Sequence, residues 1–167
     1  MAEWLYRFGQ EPSWAVTSEA YPVGCAYSDC ISGSAFVTAC PDRRCATYCT
    51  PTGIYAAGCG LDAVHFTWTS TEYLTLVLLL NRTHLPFEAI FLLRFQNFFS
   101  AIHHGAYSTL YSARDRAALP LLRRFAALQS RVRDGEAPPG PRLPRDALVR
   151  QCNAAAKRYL PADTIRW

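Results

Sequence analysis

Lysine is nearly missing from this chain: sixteen of its seventeen basic residues are arginine, and Lys157 is the exception. A chain with so little lysine makes its cationic contacts through planar, bidentate guanidinium groups. Long apolar runs are also missing. The most apolar stretch, Tyr73 to Leu80, is eight residues long and is followed closely by Arg82 and His84. That excludes a membrane-spanning helix, which needs about 20 apolar residues. The opening MAEWLYRFGQEPSW holds no apolar run of signal-peptide length. The expected location is therefore intracellular, in cytoplasm or nucleus, where thiols stay reduced. No Gly-rich phosphate loop, H-E-x-x-H pair, dinucleotide fingerprint, G-x-S-x-G elbow or solenoid-length repeat occurs. The sequon Asn81-Arg82-Thr83 has no export signal to give it meaning.

What is present in excess is cysteine, and it is concentrated. Cys25, Cys30, Cys40, Cys45, Cys49 and Cys59 lie close together, and His65 follows. Cys25/Cys30 and Cys40/Cys45 form two pairs with the same spacing, one that suits zinc. Cys49, Cys59 and His65 offer a second partial ligand set. The segment around them is rich in Gly, Ser, Thr and Pro and has no helical period, so a zinc staple would explain how it folds. Cys152 sits apart, on a helix face with Leu148, Ala155 and Tyr159, and reads as a small core residue.

From Thr69 onward the pattern turns helical. Thr69-Ser70-Thr71-Glu72 has the form of a capping box. Pro86 suits the start of a second helix that would run to His103 or His104, with Gly105 as its stop. Leu121, Phe125, Leu128 and Val132 give a third helix, over 118–133, one apolar face. Pro-rich residues 136–144 form a linker, and a last helix runs from Asp146 to about Tyr159. The predicted fold class is α+β, mainly α. A small irregular, zinc-stapled cysteine-rich module (1–66) packs on a roughly four-helix domain (67–135, with 145–167 after the linker).

Charge is divided unevenly along the chain. Residues 1–66 carry three arginines against six acids, whereas Arg114 to Arg158 carries eleven basic residues against four acids. Arg123, Arg124, Arg131 and Arg133 would thus present a basic helix surface to RNA, DNA or an acidic partner. The composition resembles that of small viral accessory proteins. The leading expectation is a non-enzymatic intracellular regulator whose zinc module contacts a protein. Two alternatives come from other classes. Cys25 with His103 or His104 could form a cysteine protease or other hydrolase. Leu85-Pro86-Phe87-Glu88-Ala89-Ile90 loosely resembles the start of an F-box, which would make the chain an adaptor for a ubiquitin ligase.

Overall fold

Helix formation begins where the sequence says it should. The Thr69 hydroxyl accepts a hydrogen bond from the Glu72 amide at 3.1 Å, satisfying one of the free donors of the first turn. Helix α1 follows, Ser70–Leu80. The Glu72 carboxylate takes Nε and a terminal nitrogen of Arg94, both at 2.8 Å. That bidentate pair ties α1 to α2, Phe87–Phe95. In the computed structural model, residues 19–32, 34, 40–135, 143–160 and 165–166 are described.

The long second helix expected from Pro86 to His103 or His104 is two helices. α2 ends at Phe95, and α3 spans Phe99–His104. The reason is geometric. The apolar residues of this stretch wrap around more than one stripe, so a straight helix could not bury them all. The turn at Gln96–Phe98 swings both Phe95 (1% exposed) and Phe98 (0%) into the core. Gly105 closes α3 at φ 65, with its amide bonded to the Ala101 and Ser100 carbonyls.

Helix α4 runs Ala113–Arg133 and starts earlier than the apolar pattern suggested. Ser112 and Asp115 form a reciprocal capping box at its head, and Pro120 is carried inside it. Its buried face is Asp115, Ala118, Leu119 and Leu122. The stripe read from the sequence as its core face stays largely outside: Leu121, Leu128 and Val132 are 39%, 47% and 52% exposed. Helix α5, Arg145–Tyr159, buries no residue, so Cys152 is exposed rather than core. Its C-terminal carbonyl at Tyr159 accepts from the His84 amide at 2.7 Å and the Thr83 hydroxyl at 3.0 Å.

The core is an aromatic stack. Phe66, Phe91, Phe95 and Phe98 meet with centroids 4.8 to 6.3 Å apart in tilted and edge-on pairs, the arrangement ring quadrupoles favour. Ala20, Cys25, Leu61 and Val64 from the cysteine-rich region join the same cluster as Leu110 and Leu122. The protein is mainly helical. Among the described residues the β-structure is one isolated antiparallel bridge, Pro22 with Phe66. Gly53-Ile54-Tyr55, a short β-favouring run between turn residues, forms a turn instead of a strand, and a second such run, Ala35-Phe36-Val37-Thr38, lies outside the described residues.

Candidate functional site

The cysteines do not assemble. Short 3-10 turns at Pro41–Arg44 and Thr47–Cys49 carry Cys40, Cys45 and Cys49 along the surface. Cys49 gives its thiol proton to the Arg43 carbonyl at 3.1 Å. Cys30, Cys45 and Cys49 are exposed, Cys40 and Cys59 half-buried, and Cys25 points into the hydrophobic core. His65 is exposed beside Tyr55. Among the described residues no three His, Cys, Asp or Glu side chains come together to hold a metal ion. The zinc staple is thus corrected, and the structure shows what replaces it. Tyrosine hydroxyls pin the loops. Tyr55 donates to the Val23 carbonyl at 2.6 Å and accepts from the His65 amide at 3.2 Å. Tyr107 accepts from the Ser28 amide at 3.0 Å. Asp115 takes the Leu61 amide at 3.0 Å.

The Cys25 environment also opposes a hydrolase. Burial pushes its thiol up to about 11, whereas a nucleophilic cysteine needs a lowered pKa. His103 and His104 sit exposed at the end of α3. A labelling prediction follows from this placement. In native protein near neutral pH, an alkylating reagent should modify Cys30, Cys45, Cys49 and Cys152 quickly and leave Cys25 intact until unfolding. Because the folded state holds the Cys25 proton more tightly than the unfolded chain, its contribution is complete below pH 9. It should fade as the pH climbs toward about 11. A melt unchanged between pH 8 and 10.5, approaching that value, would contradict the buried placement.

The basic residues of α4 are all exposed. Arg123 donates from Nε to the Ile102 carbonyl at 3.3 Å, near the C-terminal end of α3 where a cation is favoured. The Leu85–Ile90 motif serves helix initiation: Pro86 is the N-cap of α2, and Phe87 lies under the Arg114 guanidinium, 3.5 Å from its ring centroid.

A cavity of about 610 Å³ opens between the α2–α3 turn and α4. Its polar wall is Gln96, Asn97, Gln129 and Ser130, with His103 and Arg133 also lining it; Phe99, Phe125, Leu128 and Val132 form the apolar wall. Gln129 donates to the Gln96 side-chain carbonyl at 2.7 Å, and Gln96 donates to the Leu93 carbonyl at 3.1 Å. His103 stacks on Phe99, with centroids 6.3 Å apart. Neutral amides beside aromatic faces suit a polyhydroxylated ring, whose hydroxyls pair with amides while its C–H faces lie on carbon. This cavity was not anticipated from the sequence. Its signal was the Gln96-Asn97 interruption in an otherwise apolar run, together with the α4 stripe that stays outside the core.

Comparison with known proteins decides the family. The myo-inositol oxygenase family model matches residues 1–142. The chain belongs to the myo-inositol oxygenase family. Human inositol oxygenase is 38% identical over 123 residues, covering 72% of this chain and 42% of the human protein. A probable inositol oxygenase of Oryza sativa subsp. japonica is 31% identical over 160 residues, 96% of this chain and 50% of the rice protein. Inositol oxygenase 1 of Arabidopsis thaliana is 36% identical over 118 residues, 71% of this chain and 38% of that protein. The chain thus spans half or less of the length of these curated relatives. The family overturns the expectation of a non-enzymatic, viral-type regulator, and with it the hydrolase and F-box alternatives, because its members are enzymes.

The family also replaces zinc with iron, since its members are iron-dependent oxygenases. Oxygenase iron is held by imidazole and carboxylate donors with open positions, so the donor set can be tested directly. His65, His84, His103 and His104 are exposed. The Asp115 carboxylate is committed to the Ser112 cap and the Leu61 amide, and Glu72 to Arg94. No donor group forms among the described residues. They do not fit an iron centre.

Proposed function

We propose that this chain cradles the ring polyol of the inositol oxygenase family in the cavity between α3 and α4. The match to the family over residues 1–142 carries the reading, and the amide and aromatic lining of the cavity supports it. Gln129 and Asn97 hold ring hydroxyls, and Phe99 takes a C–H face. No three donor side chains come together among the described residues, so no iron-dependent step is assigned to them.

Myo-inositol titrated into the purified chain should shift the amide resonances of residues 96–103 and 125–133. Gln129→Leu should weaken binding about tenfold, the cost of one hydrogen bond of about 1.4 kcal/mol. No resonance shift at about 10 mM inositol, above the usual range of KM, would rule out the cavity as the polyol site.

A further inference from the structure

The α4 wall of the cavity carries three different chemistries in order. Phe125, Gln129 and Arg133 all line it. At i, i+4 and i+8 they stand about one helical turn apart on the same face. Phe125 offers an aromatic ring, Gln129 an amide and Arg133 a guanidinium. The lining side chains that can carry charge are His103 and Arg133, and no carboxylate is among them. Arg133 is also little committed. Among the described residues both ion pairs belong to Arg94, and Arg133 makes one bond, from a terminal nitrogen to the Ser130 hydroxyl at 3.4 Å. Most of its five guanidinium donors are therefore free for a ligand. A neutral hydroxyl matches that fork poorly, whereas phosphate and carboxylate oxygens fit it. At about 610 Å³ the cavity also has room for more than a bare six-membered ring.

We propose that the ligand this cavity prefers is a ring polyol carrying a phosphate monoester. The inference rests on the polyol reading above and narrows the class of polyol. The ring lies against Phe99 and Phe125 with its hydroxyls on Gln129 and Asn97. The phosphate sits one turn further along α4, where Arg133 takes two of its oxygens and the Ser130 hydroxyl takes the third. The spacing suits this, because i, i+4 side chains start about 5 to 6 Å apart, close to the reach from a ring hydroxyl to a phosphate on a nearby ring carbon. Phosphate is favoured over carboxylate because it brings about 1.5 to 2 negative charges and three acceptor oxygens, enough for both residues. Two features work against an anion here, the carbonyls at the end of α4 and the Asp134 carboxylate, which takes the Ser130 hydroxyl at 3.4 Å. The Ser130 and Val132 carbonyls are already capped by the Asp134 and Gly135 amides. Asp134 is exposed and lies outside the lining, so water and salt screen it. The same phosphate chemistry could come from a soluble ester or from a lipid headgroup, and the experiment separates them.

The test is a titration of the 167-residue chain with myo-inositol, myo-inositol monophosphate and inorganic phosphate in turn, read from the amide resonances of residues 96–103 and 125–133. The ester should bind at least about tenfold more tightly than the bare ring, the gain of a charge-assisted contact. Inorganic phosphate, lacking the ring, should bind far more weakly than the ester. Arg133→Gln should bring the ratio of ester to ring affinity close to one. Arg124→Gln removes the same charge from an exposed position of α4 outside the cavity, and should leave the ratio as in wild type. Both arginines are exposed, so both variants should melt as wild type does. The proposal is overturned by a preference that survives Arg133→Gln, by one that Arg124→Gln abolishes equally, or by inorganic phosphate that matches the ester. Sedimentation with phosphatidylcholine vesicles containing phosphatidylinositol monophosphate tells the sources apart. Binding there that needs Arg133 assigns a lipid headgroup, and its absence beside tight binding of the free ester assigns a soluble one. Resonance shifts with myo-inositol but no gain from the phosphate bring down this inference alone. No shifts with either ligand bring down the polyol site and this inference with it.

Discussion

Asp115→Ala is expected to lower the melting temperature by about 10 °C, the consequence of losing about 3 to 4 kcal/mol in a chain of this size. One carboxylate oxygen performs three tasks. It accepts the Ser112 amide at 2.8 Å, the Ser112 hydroxyl at 2.8 Å and the Leu61 amide at 3.0 Å. The first is half of the capping box of α4, the other half being the Asp115 amide on the Ser112 hydroxyl at 3.2 Å, and the third fastens the Leu61–Ala63 turn of the cysteine-rich region to that helix. Asp115 is 3% exposed, and the Leu61 side chain beside it is fully buried. Alanine would therefore strand a buried backbone donor with no water to replace the carboxylate, and would remove the carboxylate half of the capping box as well, leaving only the residue-115 amide on the Ser112 hydroxyl. Asparagine keeps one acceptor and should recover roughly half the loss. Thermal melts of the two variants decide the matter. If alanine and asparagine behave alike and both melt near wild type, the link between α4 and the Leu61 turn is not what holds the two regions together.

The helices were legible in the sequence and their burial was not. Thr69 with Glu72, Pro86 and Gly105 are local signals whose meaning is fixed within a turn of backbone, and each marks a helix end in the structure. Which face of α4 goes inward depends on what lies across from it. Leu121, Phe125, Leu128 and Val132 make a clean apolar line, but Asp115, Ala118, Leu119 and Leu122 are the side that meets the core. That side wins because Ala118 allows close approach, Leu119 and Leu122 fill the core, and Asp115 fastens both the Ser112 cap and the Leu61 turn. The cysteine spacing misled for a related reason. Spacing tells how far apart two thiols are along the chain. It does not tell that Cys25 enters an aromatic core while Cys45 and Cys49 ride outward on 3-10 turns. The cavity between α3 and α4 draws on two elements separated along the sequence, so no short motif announces it. The family is likewise written across residues 1–142 rather than in any one run.

Gly53→Ala should be the most damaging glycine-to-alanine change among the described residues. Gly53 has φ +60, and a Cβ there would stand 1.9 Å from the Gly24 carbonyl oxygen and 2.5 Å from the Cys25 Cα. Both are backbone atoms, so no side-chain rotation relieves the overlap. The two loops are already clamped together, with the Ile54 amide on the Gly24 carbonyl at 3.0 Å and the Ala26 amide on the Thr50 carbonyl at 2.9 Å. Separating them would pull Cys25 out of the core cluster. A loss above about 4 kcal/mol is expected, in the range that follows from a named steric cause. The chain should then be recovered largely insoluble or without a cooperative melt. Gly105→Ala isolates the backbone component. Its φ is +65, almost the same, but nothing lies within 4 Å of the added carbon. It should cost only the left-handed penalty, about 1 to 2 kcal/mol. The difference between the two variants therefore measures the close approach of residues 24–26 to residues 50–54. Equal melting temperatures for Gly53→Ala and Gly105→Ala would show that these loops do not press together, and that the cysteine-rich region is held some other way.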